Sequence, residues 1–156
     1  MSGRFRKTLA IMSEYQDSKI SWIAGTYFLL QAGLGAVWWA VILNSRSIAE
    51  LFFLSSTVAA DLTTFAIADL IGFVLLSAIA AILVFRNSSV VVPVVFALVG
   101  TVGYALLCCL GLAMQGGPFL SIVAMLPAWL ATGGFAVLIY RKQKRACEFA
   151  KGNQSS

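Results

Sequence analysis

The chain has 156 residues, 60% of them hydrophobic and only 11% charged, with a formal net charge of +5. One small soluble core cannot hide that much apolar surface, and soluble domains carry roughly 45 to 50% apolar and about 25% charged residues, so the excess must face lipid. The basic residues sit beside apolar runs, where they meet anionic headgroups, which argues for a membrane surface and against nucleic acid.

Residues 1–21 form a polar or mixed N-terminal segment. A cleaved signal peptide would carry its apolar run closer behind a basic start, so the first run is expected to stay in the protein. That run covers Trp22 to Leu43, broken only by Gln31 and a few small or aromatic residues. A hydrocarbon core of roughly 30 Å needs about 20 residues at about 1.5 Å each, so this length spans it. Tyr27, Gln31, Leu34 and Trp38 fall on one helical stripe, and Ala32, Ala36 and Ala40 form a small-residue ridge beside it, the pattern of close helix packing.

Between Asn44 and Asp61 the apolar cluster Leu51 to Leu54, next to Glu50, is too short to span. It is expected to lie along the interface as a short helix, with Trp38 and Trp39 below it at headgroup depth. The second span, 62–85, carries a single charge, Asp69, which shares a helical face with Gly72, Leu76 and Ala80. The third, 90–114, places Gly100, Gly103, Tyr104 and Gly111 on one face. The fourth, 119–140, contains Pro127, whose ring removes a backbone hydrogen bond and bends the helix, and it stops at the basic tail 141–156.

Four such runs can satisfy their backbone groups in lipid only as helices, being too long and too uniformly apolar for barrel strands. The connections Arg86 to Ser89 and Gln115 to Pro118 are tight, so spans two and three, and three and four, are expected to be antiparallel neighbours. The fold class is therefore an all-α, antiparallel four-transmembrane-helix bundle with one transmembrane domain, 22–140. The tails are too short to fold alone.

Lys and Arg in short loops stay on the cytoplasmic side. Arg4, Arg6, Lys7 and Lys19 precede the first span, Arg86 lies between the second and third, and Arg141, Lys142, Lys144, Arg145 and Lys151 follow the fourth; only Arg46 falls on the other side. This distribution places both termini in the cytoplasm of a multi-pass protein of the cell (inner) membrane.

The sequence has no histidine, hence no bis-histidine haem, His-based metal site or histidine base. Cys108 and Cys109 are adjacent and Cys147 is in the tail, so no Cys-x-x-Cys pair is available for thiol redox chemistry. No phosphate loop, nucleophile elbow or inward carboxylate pair occurs in the spans, so neither an enzymatic activity nor a cofactor or metal is expected.

Polar residues inside a membrane are functional candidates by default. Asp69 leads, about 10 Å from the outer end of its span at about 1.5 Å per residue. With Trp38 and Cys108 in the same half of the bilayer and Gln31 and Tyr104 nearer the middle, it is expected to line one ligand-binding cavity. The expected alternative for Asp69 is a structural one, in which it accepts hydrogen bonds from Tyr104 or Gln31; Arg46 is the only cation expected to reach it. Asp69 should be protonated or hydrogen-bonded, since a lone charge at that depth costs at least about 2.5 kcal/mol.

Trp38 and Trp39, Ala68 to Leu70, Gly100 or Gly103 with Tyr104, and Cys108 together make the chain similar to uncharacterised bacterial four-span membrane proteins. The resemblance covers all four spans and implies the fold but no activity. Small multidrug transporters differ in carrying their essential carboxylate in the first span, where this chain has Gln31. The resulting expectation is an accessory or assembly subunit of a membrane complex. The alternatives are a protein binding a lipid or small hydrophobic molecule around Asp69, and a small proton-coupled transporter. Membrane lipids, a membrane protein partner or a second copy are the expected partners.

Overall fold

The structure, a computed structural model, describes residues 3–53 and 62–154, and side chains within 18–53 and 62–148. Its elements are α1 (Gly3–Asn44), the short α2 (Arg46–Ala49), α3 (Leu62–Phe85), α4 (Val91–Met114) and α5 (Leu120–Gln154). Four of these helices are long and apolar enough to cross a membrane, over Ser18–Asn44, Leu62–Phe85, Val91–Met114 and within Leu120–Glu148. The chain is thus a four-span membrane protein with an all-α bundle. Its lateral surface is apolar, with Trp22, Leu34, Leu107, Met114 and Val123 all strongly exposed, as expected for side chains that meet lipid tails.

The spanning helices do not stop where hydrophobicity stops. α1 begins at Gly3 and α5 runs to Gln154, so both tails continue as helix at the same end of the bundle. Each added residue extends an existing helix by one hydrogen bond without a new nucleation step, which is why short tails that could not fold alone are helical here. The connection after α1 carries the expected short helix, placed earlier in the chain than the apolar cluster. Its helical turn is Arg46–Ala49, ahead of the apolar cluster, and Leu51 to Phe53 follow as turns; Leu54 lies outside the described residues.

Both tight connections end their helices in the same way. Asn87, in the left-handed region at φ 48°, terminates α3 with Ser88 N–H donating to Leu83 O and Asn87 N–H to Val84 O. Gly116, at φ 87°, terminates α4 with Gly117 N–H donating to Leu112 O and Gly116 N–H to Ala113 O. These paired bonds satisfy carbonyls that would otherwise end unpaired at the membrane boundary, and only Gly, or less readily Asn, adopts the required φ without strain.

Helix α1 packs chiefly on α3, and α4 chiefly on α5, while α1 and α5 meet along a thinner seam. Glycines allow the closest approaches. Phe85 covers Gly25, Phe73 and Val74 cover Gly35, and Thr101 of α4 lies on Gly72 of α3. On α1 the inward positions are Ala24, Phe28, Gln31, Ala32, Gly35, Trp39 and Ile42, a 3.6-residue rhythm. Ala36 and Ala40 and also Leu34 are exposed, so the expected alanine ridge turns away from the bundle after Ala32.

The interior divides into two cores. At the basic end all four spans contribute, with Phe28 of α1, Ala80 of α3, Leu98 of α4 and Ala136 of α5 among the fully or nearly fully buried residues. At the other end the core consists of Trp39 and Ile42 of α1, Ala49 of α2 and Ala66 of α3, capped by Trp38, Phe52, Phe53 and Phe65. Among the described residues, α4 and α5 contribute none to that second core.

Candidate functional site

Helix α3 is not uniformly α-helical. Immediately after Asp69 it winds as π-helix over Leu70–Leu75 and returns to α-helix at Leu76. Such wide turns are rare and are frequent at functional sites, where they displace side chains and loosen the i→i−4 ladder. Here Ser77 Oγ donates to the Phe73 carbonyl inside the stretch at 2.6 Å, adding a second donor to a carbonyl that also accepts a backbone N–H. The small Gly72 lets α4 approach the same segment.

Asp69 itself is half-buried, and its Oδ2 accepts a hydrogen bond from Trp39 Nε1 at 3.3 Å. The donor is therefore neither Tyr104 nor Gln31, the two expected partners. Nor does Arg46 reach Asp69: its Nε donates to Glu50 Oε1 at 3.0 Å, an exposed i,i+4 pair. On the facing helix α4, Cys109 is partly buried, and Ser121 of α5 donates to Pro118 O at 3.1 Å.

The five residues expected to share a cavity thus separate into distinct places. Trp38 packs edge-on against Phe52 with ring centroids 4.3 Å apart, while its neighbour Trp39 serves Asp69. Cys108 lies one helical turn along α4 from the exposed Tyr104. Between Trp38 and Trp39 one residue of sequence, about 100° of helical rotation, separates the expected side chain from the one brought to the site. Tyr104 is 71% exposed and looks outward over a groove of about 390 Å³ lined by Gly100, Gly103, Leu107 and Trp129. Within that groove Gly103 is covered by the Trp129 indole, as a tightly packed glycine should be, whereas Gly100 and Gly111 face open space.

Gln31 occupies a third place, in the seam between α1 and α5. It is 93% buried by the complement of its 7% exposure. Thr132 Oγ1 lies 3.2 Å from Gln31 Oε1, 2.7 Å from Ala128 O and 3.1 Å from the Tyr27 hydroxyl, which itself reaches Ala128 O at 3.1 Å. Neither Tyr27 nor Thr132 stood out as a site residue in the sequence, because single hydroxyls are ordinary in membrane helices and only the crossing of α1 with α5 joins them.

A fourth cluster ties the basic end together. Lys142 Nζ donates to Ser21 Oγ at 2.6 Å and Asn87 Oδ1 at 2.8 Å, and Gln143 Nε2 donates to Ser88 O at 2.8 Å. These bonds join the start of the first span, the α3–α4 turn and the end of the fourth span, so the three main basic segments lie on one side. Among the described residues no three His, Cys, Asp or Glu side chains converge as metal ligands. Comparison with protein-family models, with curated proteins and with solved structures finds no match for the chain.

Proposed function

We infer that this four-span protein lies in the cell membrane with both termini in the cytoplasm and binds a small amphipathic molecule that presents a cationic or hydrogen-bond-donating group to Asp69. One observation carries the reading: a half-buried carboxylate stands at the entry to a π-helical turn, bonded by a single indole N–H and without a salt bridge among the described residues. A carboxylate has about four acceptor sites, so one long bond leaves room for a ligand donor. A cation brought into this low-dielectric setting gains more than it would in water.

The test uses dodecylammonium, a cation on an apolar chain, with dodecane as control. Dodecylammonium should raise the melting temperature of the purified protein and should lose that effect on Asp69→Asn, while the Asn protein itself melts near the parent temperature. An Asn variant that responds like the parent would remove Asp69 from the reading. Orientation has its own test: thiol labelling should reach Cys147 only from the cytoplasm and a cysteine at Ser47 only from outside, and the opposite pattern would reverse it.

A second reading, an accessory subunit covered by a partner, draws on the groove at Tyr104 and Trp129, where a phenol hydroxyl at mid-span faces outward. Native mass spectrometry of the gently solubilised protein separates the two readings, since a bound subunit and a bound small molecule add very different masses.

A further inference from the structure

The Gln31 amide cannot satisfy both its ends. Thr132 has one hydroxyl proton, and two oxygens, Ala128 O and Gln31 Oε1, lie within its reach. If Tyr27 donates to Ala128 O, the Thr132 proton goes to Gln31 Oε1 and the amide nitrogen has no partner, as it stands in the structure. If instead Thr132 donates to Ala128 O and the amide is turned over, its nitrogen donates to Thr132 Oγ1 and the oxygen is left alone. Either way one polar end of a side chain at mid-bilayer stays unpaired, and among the described residues Gln31 Nε2 is the only buried side-chain polar atom in that condition. An apolar residue of the same shape would carry no such penalty.

The surroundings say where a partner enters. Gln31 sits in the α1–α5 seam, the thinner of the contacts that close the bundle. It also sits where the four-helix core ends: beyond it, toward Trp39, the core among the described residues is built from α1, α2 and α3. The unpaired end is closed off from the surface, so a ligand reaches it when the seam parts, and the seam has the least packing to lose.

We propose that the Gln31, Thr132 and Tyr27 cluster is a mid-bilayer binding site for a hydroxyl-bearing apolar molecule, seated between α1 and α5. A hydroxyl both donates and accepts, so it completes the Gln31 amide whichever way that amide is turned. The rest of the molecule must be apolar, because the rings of Phe28 and Phe135 pack around Tyr27 in this cluster. This site is separate from Asp69: Trp39, which bonds Asp69, is eight residues along α1 from Gln31, about 12 Å at about 1.5 Å per residue.

The test compares 1-dodecanol with dodecane on the parent, Gln31→Leu, Gln31→Met and Asp69→Asn proteins, reading melting temperature and binding by native mass spectrometry. Dodecanol should bind the parent and Asp69→Asn alike. Its affinity for both Gln31 variants should be about tenfold weaker, the worth of one hydrogen bond. Without any ligand both variants should melt at or above the parent temperature, since the unpaired end is gone. Lower melting temperatures in both variants would make Gln31 a structural bond and overturn the proposal. Equal dodecanol binding by parent and variants, or equal binding of dodecane, would overturn it as well.

Discussion

The two ends of the bundle are built to different specifications. At the basic end four helices share one core, and the Lys142, Ser21 and Asn87 bonds lock three chain segments together. At the far end, among the described residues, α1, α2 and α3 form an aromatic core of their own, and the α4–α5 pair adds nothing to it. The unusual features all fall at the boundary or on the less shared side: the unpaired Gln31 amide, the π-helical turn and Asp69. In a membrane there is little hydrophobic gain in bringing helices together, so packing density and polar bonds decide which contacts are firm. The shared core supplies rigidity, and the divided half retains the freedom that a ligand would use.

The sharpest test of that contrast is truncation in the shared core. Phe28→Ala should lower stability by about 3 kcal/mol, near the lower end of the soluble-core range because lost contacts rather than water exclusion set the penalty in lipid. Thermal unfolding in detergent reads it, and a loss below about 1 kcal/mol would mean that the four-helix core is not the stable half.

Close glycine approaches come next. A Cβ on Gly35 would lie 2.8 Å from Phe73 Cε1 and 3.0 Å from Val74 Cγ2, and one on Gly103 would lie 3.0 Å from Trp129 Nε1. Gly35→Ala and Gly103→Leu should each destabilise by about 1–3 kcal/mol, whereas Gly111→Ala, facing open space, should be neutral or slightly stabilising. Equal melting temperatures for the Gly103 and Gly111 variants would show that the α4–α5 contact does not hold in solution.

Smaller effects are expected at the ends. Gly116→Ala places a side chain at φ 87° and should destabilise by about 1 kcal/mol, while Asn87→Gly keeps the turn but gives up the Oδ1 bond from Lys142 and should destabilise by a similar amount in thermal unfolding. Lys142→Met removes the two bonds at the basic end and should cost about 1 kcal/mol while speeding hydrogen exchange at Asn87 and Ser88. Exchange that stays as slow as in the parent would show that this end is held by packing alone.

What the sequence by itself determined is the class and the count. Four apolar runs of spanning length, two tight connections and a one-sided charge distribution are one-dimensional properties, and the helices, their antiparallel hairpins and Asp69 as the lone spanning acid follow from them. Of the face read from spacing on the third span, only Gly103 is covered; Gly100 and Gly111 face open space and Tyr104 is exposed. What only the tertiary structure decided is which neighbour of a pair turns inward. Trp39 rather than Trp38 reaches Asp69, because a rotation of about 100° per residue makes the outcome depend on how each helix is turned against the others. The π-helical stretch was likewise invisible, since the apolar residues Leu70–Leu75 read as ordinary helix; it lies where α3 packs on α1 and α4. The Tyr27, Gln31 and Thr132 cluster joins residues about a hundred positions apart, and only the crossing of the first and last spans could bring them together.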